Sequence, residues 1–368
     1  MVKIHEITDR EKELLNVLGK FPNISLKELV DRTRYKRMSS ISRKLEQFKE
    51  QNILVGPTYY PDWGKLCKNS FNRVFCTLET ELRLDTVISY LTLIEPLCWT
   101  FPVLSAHKKL LYVEFVSTND AETKSLLQLL KDSNIIADCI IHISSHNKVM
   151  ENSNLFGDFN PSLDNLVTPC NVPDASYGQH DTDWNTCDIH IFPYLMEEYR
   201  SARLIEILKA EREVGRTWTY EQIKYSREKM VKNKFIRKEY VIFPFPYRQC
   251  VHFILALKSE DSRLTQRMAC NFAKGARVYK EYTICEDLTL VEFVSHSSFL
   301  TNLMYKLDSI DEIKEKGIYQ IRSLFPSEYT LLRPPELKYF DFETQTIEYP
   351  YHVYKEKIKE KLENEQGS

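Results

Sequence analysis

The pentapeptide Val-Glu-Phe-Val-Ser occurs at Val113–Ser117 and again at Val291–Ser295, 178 residues apart. Alone it is weak, because alternating Val and Phe with one polar residue describes many strands. The same offset recurs elsewhere, however. Leu26, Leu29 and Val30 fall on Leu204, Ile207 and Leu208, Phe75 falls on Phe253, and Leu126 and Leu129 fall on Met304 and Leu307. Between these blocks the offset slips to 182, so that Ile41, Phe48, Ile53 and Leu54 meet Ile223, Met230, Phe235 and Ile236. Length changes confined to connections, with the register kept inside elements, are what a duplicated fold leaves behind. The chain reads as one unit written twice.

In the first copy, Thr8 with Glu11 and Ser25 with Glu28 form capping-box patterns that open two helices. A third helix carries Ile41, Leu45 and Phe48 on one face, and "NILVGPTYYPDWGKL" supplies a short strand, a turn at Gly56–Pro57 and an extended return. Three short helices and such a wing predict a winged helix-turn-helix. The following runs alternate as strand, helix, strand, strand, helix, strand, which predicts a ferredoxin-like βαββαβ unit. The fold class expected is therefore α+β: two winged helix-turn-helix domains, each followed by a ferredoxin-like domain. The boundaries expected are 1–68 and 69–147 for the first pair, and 187–246 and 247–326 for the second. Residues 148–186, rich in Asn, Asp, Ser and Pro, read as a surface-draped linker, and 327–368 as an extension ending in a charged helix or frayed tail.

The 368 residues carry a formal net charge of only −2, so any nucleic-acid contact must come from local patches. No apolar run approaches the roughly 20 residues that span a bilayer, and no signal peptide is expected at the charged N-terminus. Nine cysteines without a CxxC pair fit buried thiols in a reducing compartment. A cytoplasmic protein with no membrane partner is the expectation.

The run "LEQFKEQNILVGPTYYPDWGKL" resembles the Lrp/AsnC (feast/famine) transcription regulators, with their recognition helix followed by "GVI-x-GY" and "D-x-x-x-L". Applied twice, the resemblance covers most of the chain, and the tandem copy is similar to archaeal regulators of this type. It implies a double-stranded DNA partner, a RAM-like domain that pairs through its sheet, a homodimer or an intrachain pseudo-dimer, and a small-molecule effector. The sequence departs from the family at the hairpins "SAHKKL" and "ICEDL", which lack the glycine of the family's effector site, and at Arg227, which stands where Leu45 stands in the first copy.

Charge supports that implication. Around the first candidate recognition helix, seven cations stand against Glu46 for a net +6, and the second cluster is again net +6. Small polar and basic residues at a helix N-terminus suit base edges and phosphates. The DNA-contacting candidates are Arg34, Lys36, Arg37, Ser39, Ser40, Ser42, Arg43 and Lys44 in the first head, and Arg216, Lys224, Arg227 and Lys229 in the second. Solvated helix faces are the plainer account of the same charges. For Tyr59, Tyr60 and Trp63, packing against the neighbouring domain is expected ahead of DNA contact.

Cys170, His180, Cys187 and His190 match no standard zinc spacing, and His142 and His146 read as solvent-exposed ends of a strand. No Walker A loop, GxGxxG, GxSxG or paired-carboxylate motif marks a catalytic centre. A non-enzymatic transcription regulator without cofactor is thus the main expectation. Two others stand beside it. One is a winged-helix scaffold that recruits the basal transcription machinery. The other is a sirohaem-decarboxylase-like tetrapyrrole enzyme, a family that shares this architecture but whose His/Arg signature is not placed on this sequence.

Overall fold

A computed structural model describes residues 7–196, 202–246, 249–322 and 330–366. The first helices begin where capping chemistry dictates. Helix α1 (Asp9–Lys20) starts at Thr8, whose backbone N–H donates to Glu11 Oε2 at 2.8 Å, and buries Leu14, Leu15 and Leu18. Helix α2 (Leu26–Arg32) starts at Ser25, capped through Glu28, and α3 (Met38–Glu50) buries Ile41 and Phe48. Strand β1 (Leu54–Pro61) follows. It does not fold back as a wing hairpin. It passes through Gly56–Pro57 with a bulge and pairs antiparallel with β7 (Ile236–Ile242) of the second half. The two heads are joined strand to strand.

A ten-stranded sheet with antiparallel pairings forms the body. Its first half comprises β2 (Asn72–Thr80), β3 (Leu97–Val103), β4 (Lys109–Ser117) and β5 (Asp138–Ser144), with α4 (Leu84–Leu91) and α5 (Asp120–Asp132) between them in sequence. The second half comprises β8 (Cys250–Ser259), β9 (Tyr279–Ile284), β10 (Thr289–His296) and β11 (Ile313–Ile321), with α9 (Ser262–Asn271) and α10 (Ser297–Asp308). The spatial orders are β5-β2-β4-β3 and β11-β8-β10-β9. Corresponding strands therefore take corresponding places.

Strand β3 joins β11 at Val103↔Ile321, and the sheet curls until its far edge meets the β9–β10 turn. There Ser144 Oγ donates to the Ile284 carbonyl at 2.7 Å and the Glu286 N–H donates to Ile143 O at 3.0 Å. One sheet face carries Val113 and Phe115 into a helix-covered core, and the other brings Phe75 and Tyr112 against Ile254 and Leu290. Both faces are covered by protein over these stretches, which is why the strands read as near-continuous apolar runs. Each such large side chain contributes roughly 1.5–3 kcal/mol on burial.

Residues 148–186 correct the expectation of a surface-draped linker. Strand β6 (Val149–Glu151) extends the sheet beside β9, Leu155 enters the first head's core, and Leu163, Leu166 and Trp184 are buried. Gly178 lies so close to the 3-10 turn at Trp63–Lys65 that a Cβ there would stand 2.7 Å from a Lys65 carbon.

The second head is corrected as well. Helices α6 (Thr186–Leu195), α7 (Leu204–Glu213) and α8 (Tyr220–Lys232) do not ride on their own half's sheet. Phe192 and Phe235 join the first half's core, with Phe192 edge-on to Trp63 at 5.8 Å. Of the two alternatives expected for the C-terminal stretch, the charged helix is the one that forms. The stretch adds β12 (Leu331–Leu332) to β3, a small hairpin β13 (Phe340–Asp341) and β14 (Thr346–Ile347), and α11 (Tyr351–Gln366), which buries Tyr354 and Ile358.

Candidate ligand cavity between the second head and the first sheet

Strand pairing between the heads sets one wall of a cavity of about 420 Å³. In the β1–β7 register, Tyr59 lies opposite Lys238 and Tyr60 opposite Arg237, which places two rings beside two cations. Lys234 lies just before β7, at the end of α8, in the left-handed conformation (φ 57°) that Asn52 (φ 53°) takes after α3. A lysine there costs more backbone energy than glycine. Lys234 is exposed, and neither its ammonium nor that of Lys238 has a carboxylate partner among the described residues. Burial, and then the Arg227 charge, hold the Lys238 pKa below its ordinary value. Arg237 is engaged with Glu239 at 2.7 Å and with the Lys148 carbonyl.

The floor comes from the first sheet and the segment after β5. Arg73 on β2 donates through Nε to Glu114 on β4 at 2.7 Å, and both side chains are buried. Burial works against the Arg73 charge, but Glu114 more than offsets it and holds the pKa above the ordinary value. The second oxygen of Glu114, Oε2, has no hydrogen-bond partner among the described residues. His146 lines the same cavity. Its backbone N–H donates to Ser144 Oγ at 3.1 Å, Asn147 N–H donates to Ala175 O at 2.7 Å, and a bridge to Ser176 fixes the segment. His146 Nδ1 is buried and unpartnered among the described residues. Both atoms are closed off from solvent behind the cavity lining, where an unpaired polar atom costs about 1–3 kcal/mol.

Lys148 lies two residues on. Its ammonium meets Glu281 Oε1 at 2.6 Å and Glu292 Oε2 at 3.8 Å, and lies 4.6 Å from the centre of the Trp99 ring. Glu281 on β9 and Glu292 on β10 are directly cross-strand, and His252 Nε2 sits 2.7 Å from Glu292. Burial drives the Glu281 carboxyl up to about 7. Burial acts the same way on Glu292, but Lys148 and His252 outweigh it and hold that group well below the carboxylate range. On the far side, Arg333 donates to the carbonyls of Leu97, Ile94 and Glu95, setting Pro334 and Pro335 against the cavity.

None of the twelve DNA-contacting candidates lines this cavity. Lys36, Arg37, Ser39, Ser42 and Arg43 are exposed around the start of α3, Ser40 is half-buried, and Arg34 pairs with Glu13 at 3.1 Å. Lys44 turns inward to Glu11 at 2.7 Å. In the second head, Arg216 is bound to the fully buried Glu211 at 2.7 Å and Lys229 to the fully buried Asp188 at 2.6 Å. Lys224 lies 3.7 Å from Glu221, and Arg227 is half-buried.

The reading of His142 and His146 as exposed strand ends is corrected. His142 is buried against Asp287 at 3.0 Å, and His146 is a floor residue of the cavity. Paired carboxylates, not found by motif, exist as Glu281 and Glu292. The sequence signalled Glu292 alone of the two, as the glutamate that the repeated pentapeptide sets inside an otherwise apolar strand.

No protein-family model matches the chain, and no curated protein does. Among solved structures, siroheme decarboxylase NirDL in co-complex with an iron-uroporphyrin III analogue is similar over 97% of this chain and 100% of its own, at 9% identity and TM-score 0.51. A second NirDL structure covers 97% of the chain at 10% identity and TM-score 0.49. AsnC from E. coli covers 41% at 15% identity and TM-score 0.30. The expectation of a promoter-binding regulator that is not an enzyme is overturned here. The likeness that runs the length of the chain is to siroheme decarboxylase NirDL. At 9% identity that likeness establishes the α+β fold alone. Among the described residues, no helix is long and apolar enough to cross a membrane.

Proposed function

We propose that this chain is a tetrapyrrole enzyme, which binds a polycarboxylated macrocycle in the cavity and removes carboxyl groups from it as CO₂. The observation that carries the reading is the cavity wall. It sets aromatic rings (Tyr59, Tyr60, Trp99) beside ammonium groups without carboxylate partners among the described residues (Lys234, Lys238). A flat apolar macrocycle with carboxylates on its edge needs that combination, because rings stack on its faces while cations take its rim. A chain whose fold follows siroheme decarboxylase NirDL along its length supports the same substrate class.

In this reading His146 holds the proton the reaction consumes. The bond to a departing carboxylate breaks, its electron pair stays on the methylene carbon conjugated to a pyrrole ring, and the imidazole proton joins that carbon. Arg73, fixed by Glu114, keeps positive charge beneath the leaving carboxylate. Water exclusion by Pro334, Pro335 and Trp99 strengthens each of these interactions. We also read the two halves as copies of one unit, a winged helix followed by a ferredoxin-like sandwich, at the boundaries given above. The second head then serves as a wall of the site.

The test is incubation of the full chain with iron-uroporphyrin III, followed by Soret absorbance and mass analysis of the extracted pigment. Wild type is expected to shift the band and release product lighter by whole CO₂ units. His146→Ala is expected to keep the shift and lose the product. An unchanged spectrum at saturating pigment overturns the reading.

A further inference from the structure

On that reading of the cavity, a bound macrocycle must act on the buried charges behind it. Glu281 and Glu292 face each other across β9 and β10, an arrangement that repels unless cations stand between them. Lys148 is the ammonium shared by both carboxylates, and His252 Nε2 lies 2.7 Å from Glu292. Tyr279 Oη donates to Glu281 Oε2 at 3.2 Å, and the Arg73–Glu114 pair is the remaining charged group acting on Lys148. Lys148 alone among these touches both the carboxylate pair and the open cavity.

We propose, resting on the function given above, that Lys148 is a proton-coupled anchor: a carboxylate of the bound macrocycle draws its ammonium away from Glu281 and Glu292, and the carboxylate pair left behind takes up a proton from solvent. The charge count requires it. Two buried carboxylates that lose their common cation cannot both stay ionised, and the proton settles on the one without an imidazole partner, Glu281. The Glu281 carboxyl is already raised to about 7 with Lys148 in place, so withdrawal of the ammonium moves it higher still. No bond is made or broken beyond the proton's arrival on Glu281 Oε1, the oxygen that Lys148 vacates.

Isothermal titration calorimetry of the full chain with iron-uroporphyrin III, in buffers of different ionisation enthalpy, counts that proton. Every chain titrated, the one called wild type below included, also carries His146→Ala, which binds without turnover, so that no decarboxylation consumes protons. Wild type is expected to take up about one proton per macrocycle near pH 8, and close to none near pH 6, where Glu281 already carries it. Glu281→Gln, which keeps its hydrogen-bonding shape, is expected to bind with no uptake at either pH. Lys148→Met is expected to bind about tenfold more weakly, also without uptake. Binding without uptake by wild type near pH 8, or uptake unchanged in Glu281→Gln, overturns the anchor and leaves the proposed function standing. No binding by wild type at all overturns the proposed function and the anchor together.

Discussion

Glu114 and Glu292 occupy the same position in the repeated pentapeptide, on strands β4 and β10, yet they hold different partners. Glu114 grips Arg73 at 2.7 Å on the floor of an open cavity of about 420 Å³. Glu292 grips His252 at 2.7 Å beside a residual space of about 50 Å³, where Val55, Val241 and Phe243 pack against Tyr279 and Val294. Near-equal strands thus frame one usable site and one filled one. The difference comes from what lies over them: Lys234, Arg237 and Lys238 in one case, Val55, Val241 and Phe243 in the other.

The rim cations should be separable from the fold. Lys234 and Lys238 make no ion pair among the described residues, so Lys234→Glu with Lys238→Glu should leave the urea midpoint nearly unchanged. Iron-uroporphyrin III affinity should fall at least tenfold, since a hydrogen bond to a charged group contributes about 1.5–3 kcal/mol. Equal affinity by absorbance titration would remove these residues from the site.

Arg73→Met should behave in the opposite way. It leaves the buried Glu114 carboxylate uncompensated, and breaking one side of such a pair costs about 3–5 kcal/mol. Chemical denaturation should show that loss directly, with the double variant Arg73→Met, Glu114→Leu recovering much of it.

Stability should carry a signature of Glu281. Its carboxyl is raised from 4.5 to about 7, so between those values the folded chain holds a proton that the unfolded chain has released. Stability therefore falls as pH rises through that window, by on the order of 3 kcal/mol in total. Urea midpoints measured from about pH 5 to about pH 8 should drop in wild type and flatten in Glu281→Gln. A parallel drop in both proteins would assign the effect to another group.

The C-terminal helix should prove integral. Tyr354 and Ile358 are fully buried in the core that also holds the second head, and Lys355 pairs with Glu122 at 2.7 Å. Ile358→Ala should cost about 2–5 kcal/mol through reduced burial and the cavity left behind. Calorimetric melting of the variant against wild type measures it.

Local elements were legible because their determinants are local. Thr8 with Glu11 and Ser25 with Glu28 cap helices within four residues of chain, and the Ile41–Phe48 spacing needs only the helical period. The site was hidden for the converse reason. Lys148 lies 133 residues along the chain from Glu281, and Tyr59 meets Lys238 only through a strand pairing. Of the second head's four cations expected at a nucleic-acid surface, Arg216 and Lys229 pair with the buried Glu211 and Asp188, contacts that no local spacing announces.

By itself the sequence determined the helices, the strands and their alternation, since capping, period and apolar runs act over a few residues. It also carried the recurrence at 178 that marks the two halves. Only the tertiary structure decided that β1 pairs with β7, that the second head packs into the first half's core, and that Val149–Glu151 joins the sheet beside β9. Those outcomes depend on which apolar faces and which edges find one another in space. Such a choice is made by the burial of whole surfaces, and no short stretch of chain encodes it.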